Sequence, residues 1–290
     1  TGAVMRVSPG TSLFDQPLII TVSGVRPGTP VTIRVTSTDA HGVVFVSQAT
    51  YTADARGDVN PARQAPISGS YAGIQAMGLI DFMAPAESAG PIVYRWSFSG
   101  SRTFDFTASN GTTTLASTSV HRRGAGPGVS SVPEDLSTAG FVGQYWEPPR
   151  GSHRRPAVLE FGGSEGGHTQ LLGALLASHG YPTLSLGYFG EPGLPASLSN
   201  IPLEYFAHAL SWLAARPGVD PKHVWVSGVS RGSEAALLLG ALYPKQVYGV
   251  IASVPANVAL STRTFDGPAW TLNGQALPYT PQFGNPNPTD

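Results

Sequence analysis

The sequence predicts two domains of different class: an antiparallel β-sandwich over residues 1–122, a linker over 123–135, and an α/β domain with a mostly parallel sheet over 136–290. Three observations carry this reading. The first part consists of short runs rich in Val, Ile, Thr, Tyr and Phe with partial period-two alternation, punctuated by Gly, Pro, Asp and Asn. The last part alternates nearly continuous apolar strands with amphipathic helices, the order that builds a parallel sheet. Between them, "RRGAGPGVSSVPED" (122–135) is rich in Gly, Pro and Ser and has no periodicity.

In the first domain the expected strands are "PLIITVSGV", "TPVTIRVTSTD", "GVVFVSQATYTAD", "IVYRWSFSG" and "FDFTAS". Their spacing suggests a sandwich of immunoglobulin-like type, necessarily without its inter-sheet disulfide because the chain has no cysteine. In the second domain the strands are "AVLEF" (157–161), "PTLSLGY" (182–188), "HVWVSG" (223–228) and "GVIASV" (249–254). The clearest helix is "IPLEYFAHALSWLAARPG", where Leu203, Phe206, Ala207, Leu210, Leu213 and Ala214 recur at helical spacing, Pro202 suits the first turn and Pro217-Gly218 stops the run. "TQLLGALLASHG" and "SEAALLLGALYP" supply two more.

Bulk properties narrow the function. With 290 residues, 41% of them hydrophobic, the chain can bury a sizeable core. Charged residues make up 12% and the formal net charge is −1, which argues against nucleic acid or anionic lipid as a partner. No apolar run is long enough to span a membrane. The lack of cysteine removes thiolate metal sites and a cysteine nucleophile. No His/Asp/Glu cluster has metal-ligand spacing and no nucleotide-binding glycine motif is present, so neither metal nor cofactor is expected.

Chemistry concentrates in "VSGVSRGSEAALLLG" (226–240). Gly228-Val229-Ser230-Arg231-Gly232 is a G-x-S-x-G pattern entered from a strand and left by a helix, the setting in which a serine hydroxyl is exposed on a sharp turn. Ser230 is the candidate nucleophile. The Arg231 backbone N–H, at the helix N-terminus, is a candidate oxyanion donor. "LEFGGSEGGH" (159–168) offers the second donor, Gly163 N–H first and Ser164 N–H second, because glycines let main-chain amides approach a ligand. Glu165, His168 and Tyr188 are candidate pocket-lining residues.

Together, the β-sandwich, "PEDLSTAGFVGQYWEPP", "AVLEFGGSEGGHTQLLGALLASHGYPTLSLGYFGEPGLP", "NIPLEYFAHALSWL" and the elbow resemble the acyl-CoA thioesterase / bile acid-CoA:amino acid N-acyltransferase family along nearly the whole chain. The resemblance implies an immunoglobulin-like domain followed by an α/β-hydrolase domain, transferring an acyl group from a thioester to water or an amine through a Ser (or Cys), His, Asp triad. Ser230 carries over as the nucleophile, Arg231 and Gly163 as oxyanion donors. An ester, a lactone or a carrier-bound polyketide acyl chain is the alternative substrate on the same fold, and a non-catalytic acyl-binding or scaffolding module the alternative role. Acyl-CoA as substrate would favour the cytoplasm; export after signal removal is equally compatible.

All seven histidines precede Ser230, and Asp266 comes too early to be the triad acid. The expectation is therefore a hydrolase domain incomplete at its C-terminus, with Asp and His beyond residue 290. A second chain, docked after cleavage in "NPNPTD", is expected to add two or more strands and bring an imidazole to about 2.6–3.2 Å from Ser230 Oγ.

Overall fold

Alternating burial along the N-terminal runs makes strands of most of them: β1 (Val4–Ser8), β2 (Thr11–Leu13), β3 (Ile19–Ser23), β4 (Pro30–Thr38), β5 (Val44–Thr52), β6 (Ser68–Gly69), helix α1 (Gly78–Asp81), β7 (Ala84–Pro85), β8 (Arg102–Asn110) and β9 (Thr113–Arg123). The computed structural model describes residues 2–87, 93–151, 153–262, 264 and 267–281. It divides into two units, Thr1–Ala125 and Gly126–Asp290. In the first, strands run in the order β2-β9-β8-β4-β5-β6, with β7 also on β5, and β1 and β3 form a separate two-stranded ribbon. Val31, Ile33, Val35, Phe104 and Phe106 point from one sheet face into the core with Val22 of the ribbon.

One expected strand is absent. Residues 93–100 form none; the backbone groups of Arg95 bond to the 39–43 turn instead of a ladder. Arg95 O accepts from Ala40 N–H at 2.8 Å and Arg95 N–H donates to Asp39 Oδ2 at 3.3 Å. Tyr94 and Trp96 still pack on the Phe104 ring.

The second unit contains β10 (Ser130–Glu134), β11 (Val142–Glu147), β12 (Arg155–Phe161), α2 (Leu171–Ser178), β13 (Thr183–Gly187), β14 (Ile201–Pro202), α3 (Leu203–Ala214), β15 (Val219–Val229), α4 (Arg231–Leu242), β16 (Gly249–Ser253), β17 (Trp270–Leu272) and β18 (Gln275–Ala276). Its main sheet has the order β10-β11-β13-β12-β15-β16. The four strands from β13 to β16 are parallel, and β10 and β11 add an antiparallel edge. The expected linker thus contains a strand, since Ser130–Glu134 pairs residue for residue with Glu147–Gly143. Gly and Pro around it mask the pairing in the sequence, because an edge strand needs only one partner and little side-chain burial.

After β16 the described residues form two short strands, β17 and β18. Residues 201–202, 270–272 and 275–276 form a small separate sheet, and Trp270 is 1% exposed beside Tyr188 and Phe206. This sheet does not extend the main one, whose outermost described strand on that side is β16. Asp266 and the "NPNPTD" segment lie outside the described residues.

Strand order positions the site. The chain passes from β12 through α2 to β13 on one side, then returns through α3 to β15 on the other side of β12. The carboxyl ends of β12 and β15, where Phe161 is level with Gly228, are therefore a topological switch point, the place where ligands bind in doubly wound sheets.

Candidate active site

β15 ends at Val229 and α4 begins at Arg231, so the whole turn is made by Ser230. Its backbone sits at φ 53° and ψ −120°, a conformation that costs a non-glycine residue about 1–3 kcal/mol. Neighbouring bonds hold it there. Ser230 N–H donates to Ser253 O at 2.9 Å, Ser233 N–H donates to Ser230 O at 2.9 Å, and the Ser233 hydroxyl donates to the same oxygen. Ser230 is exposed while Arg231, Gly232 and Ser233 behind it are buried. The motif glycines are required by space. A Cβ on Gly228 would overlap Gly232 O, and one on Gly232 would overlap Gly162 O.

That last contact fastens the elbow to the loop after β12. A Cβ on Gly163 would lie 2.9 Å from Ser230 Cβ and 3.0 Å from Val229 O, so only glycine lets this loop lie against the nucleophile. Tyr188 clamps it: the buried phenol donates to Gly162 O at 2.9 Å and Gly163 O at 3.0 Å. Burial raises the Tyr188 pKa, keeping the donor protonated. Further along, Gly167 N–H donates to Phe189 O at 2.8 Å. Thr169 Oγ1 donates to the Glu160 carboxylate at 3.0 and 3.2 Å, joining the two ends of the loop.

Glu160 is 2% exposed and, among the described residues, accepts from the hydroxyls of Thr169 and Ser185 alone. Burial pushes its pKa up to about 7, against the lowering effect of these two donors. On the other side of the elbow, Glu234 is 3% exposed and faces a cation. Its Oε1 lies 2.6 Å from Arg231 Nε, while Oε2 accepts from Leu260 N–H and Trp270 Nε1, each at 3.0 Å. Arg231 Nη1 and Nη2 also donate to Ser261 O and Leu260 O. The Arg231 side chain therefore ties residues 260 and 261 to α4, while its backbone opens that helix directly after Ser230.

The other candidates are placed as follows. Glu165 Oε1 accepts the Gly163 N–H at 2.9 Å. Ser164 is half-buried in the same loop. His168 is bonded through Nδ1 to Glu191 Oε1 at 2.6 Å. Its Nε2 is buried and has no hydrogen-bond partner among the described residues. Among the described residues no histidine is hydrogen-bonded to Ser230: His208 engages Ala139 O, His223 engages Asp220, and His153 and His179 are exposed.

Glu160, Glu191, Glu234 and Trp270 were missed in the sequence. Two of them carried a signal, since Glu160 is the lone charge in the apolar run "AVLEF" and Glu234 follows Arg231 by three residues at the start of an otherwise apolar helix.

A serine held at positive φ between a parallel strand and a helix, at the switch point of a doubly wound sheet and against a glycine loop, is the framework of the α/β-hydrolase class. The family follows from the comparisons. Residues 15–135 match the acyl-CoA thioester hydrolase/BAAT N-terminal region, and residues 201–267 match the BAAT/acyl-CoA thioester hydrolase C-terminal region. The chain belongs to this family. It is 32% identical to acyl-coenzyme A thioesterase 6 of Mus musculus, over 86% of this chain and 60% of that protein. It is 30% identical to the mitochondrial acyl-coenzyme A thioesterase 2 of Mus musculus, over 89% and 56%. It is 31% identical to acyl-coenzyme A amino acid N-acyltransferase 1 of Mus musculus, over 94% and 65%. The chain thus spans about three-fifths of the length of these relatives. They give no support to a separate second chain, and among the described residues no helix is long and apolar enough to cross a membrane.

Proposed function

We propose that this chain carries the nucleophile of a serine-dependent acyl-thioester hydrolase or acyltransferase. Ser230 Oγ attacks the thioester carbonyl carbon while a histidine takes the hydroxyl proton. The carbonyl oxygen becomes an oxyanion that accepts from the amides of Arg231 and Gly163, with Ser164 N–H as the substitute for Gly163. Collapse breaks the carbon–sulfur bond, the thiolate leaves with the proton from the imidazolium, and acyl-Ser230 remains. Water or an amine then attacks the ester, gives its proton to the same histidine, and Ser230 is regenerated. Among the described residues no histidine is hydrogen-bonded to Ser230, so the base and its orienting carboxylate carry no residue number here.

The main support is the backbone of Ser230, strained, braced by Ser253 and Ser233, and in contact with the loop that holds Gly163. The names of the relatives support acyl-CoA as the acyl donor. The N-terminal sheet and ribbon are read as an immunoglobulin-like sandwich, with the domain boundary near residue 125.

Ser230→Ala is expected to abolish the acyl adduct seen by intact-protein mass spectrometry and to lower turnover by about 10⁴-fold or more, with the circular dichroism spectrum unchanged. Full turnover by this variant would sink the reading. A panel of acyl-CoA, carrier-protein thioester and simple ester substrates separates the thioester from the ester alternative. Failure of the wild-type protein to react with a fluorophosphonate would instead favour a non-catalytic acyl-binding module.

A further inference from the structure

The N–H assigned to the oxyanion is already occupied. Gly163 N–H donates to Glu165 Oε1 at 2.9 Å, and a Cβ placed on Gly163 would sit 3.1 Å from Glu165 Oε2 and 2.9 Å from Ser230 Cβ. One carboxylate oxygen therefore lies on the donor, and both the other oxygen and the Ser230 side chain reach the same point beside Gly163. A Cβ on Gly162 would overlap Oε1, so the carboxylate lies against both glycines. An anionic oxygen at hydrogen-bond distance from a buried amide occupies the position, and carries the charge, of the oxyanion in acyl transfer.

The loop's main chain is fixed where its carboxylate is not. Tyr188 holds the carbonyls of Gly162 and Gly163, Phe189 O holds Gly167 N–H, and Glu160 holds Thr169. Glu165 itself is exposed and has three side-chain torsions. It can leave Gly163 by rotating into water without moving the backbone. It must leave, because a second negative charge within a few ångströms of a forming oxyanion is repulsive, most of all as water is excluded.

We infer that Glu165 is a displaceable plug of the oxyanion site: its carboxylate satisfies the Gly163 amide in the resting protein and is expelled by the incoming acyl carbonyl, so acylation competes with an intramolecular anion. This rests on the acyl-Ser230 reading and concerns its regulation. The plug keeps a buried donor satisfied while no substrate is bound and suppresses attack on weakly binding carbonyl compounds that cannot displace it.

The experiment compares wild type with Glu165→Ala and Glu165→Gln. Two rates are measured: labelling of Ser230 by a fluorophosphonate, and the acylation burst with a thioester substrate. The expected result is an increase of about tenfold in both for Glu165→Ala, with an intermediate value for Glu165→Gln, whose amide oxygen can still accept but carries no charge. The Gly163 amide proton, assigned in a ¹⁵N-labelled sample, should move upfield in Glu165→Ala as its carboxylate acceptor is lost. Unchanged or lower rates in Glu165→Ala, with wild type labelled normally, would overturn the plug and leave Ser230 standing; a decrease would make Glu165 a contributor to the chemistry. A wild-type protein that is not labelled, or a Ser230→Ala variant that retains turnover, would overturn both.

Discussion

Glu160 and Glu234 are the same residue type, are nearly equally buried and flank the same switch point, yet their surroundings treat the charge in opposite ways. Among the described residues Glu160 meets hydroxyls alone, and its pKa is pushed up to about 7. Glu234 meets the Arg231 guanidinium and two N–H donors, which bind helix α4 to Leu260 and Trp270. Burial alone does not decide what a carboxylate does. With neutral partners it becomes a proton-linked clamp on a loop; with a cation and amides it becomes a permanent tie.

The strongest way to break this comparison is to remove the tie. Glu234→Ala takes the Glu234 carboxylate from the buried Arg231 guanidinium and strips the acceptor from Leu260 N–H and Trp270 Nε1, so a loss of about 3–5 kcal/mol is expected in urea unfolding. Glu234→Gln keeps acceptors for both N–H groups, and the difference between the two variants isolates the part due to charge.

The Glu160 clamp should respond with the opposite sign and only within a pH window. Its folded pKa of about 7 lies above its unfolded value of 4.5, so the folded state binds more protons there. The stability it contributes is complete below pH 4.5 and is lost as pH rises through about 7. Glu160→Gln, neutral throughout, should therefore match wild type near pH 4.5 and exceed it at pH 8 by up to about 3 kcal/mol. Thermal unfolding of both proteins across this range tests it; a stability difference independent of pH would show that Glu160 does not titrate in the folded state.

The smallest effect belongs to the hydroxyl that joins the loop ends. Thr169→Val removes one donor from Glu160 and should cost about 1 kcal/mol above pH 7, where the carboxylate is charged, and less at pH 5. Since the hydroxyl lowers the Glu160 pKa, its removal should raise the midpoint of the stability-against-pH curve.

Much of this molecule was legible before any coordinates. Continuous apolar runs announced β12, β13, β15 and β16, helical spacing announced α3, and the glycines around Ser230 announced a turn between strand and helix, because each of these signals is carried by residues within one element. Tertiary structure alone decided the rest. Nothing local says that Ser130–Glu134 will find an edge on β11, or that Arg95 will spend its backbone polar groups on a turn. The pairings that shape the candidate site are also non-local: Glu160 meets Ser185 25 residues away and Glu234 meets Trp270 36 residues away. The Arg231 side chain points into the protein because carbonyls at 260 and 261 and a carboxylate await it there. Glu165 lies on Gly163 because the fixed loop turns that amide toward it. Periodicity records which face of an element is buried; which polar group a buried face meets depends on how the sheet orders its strands.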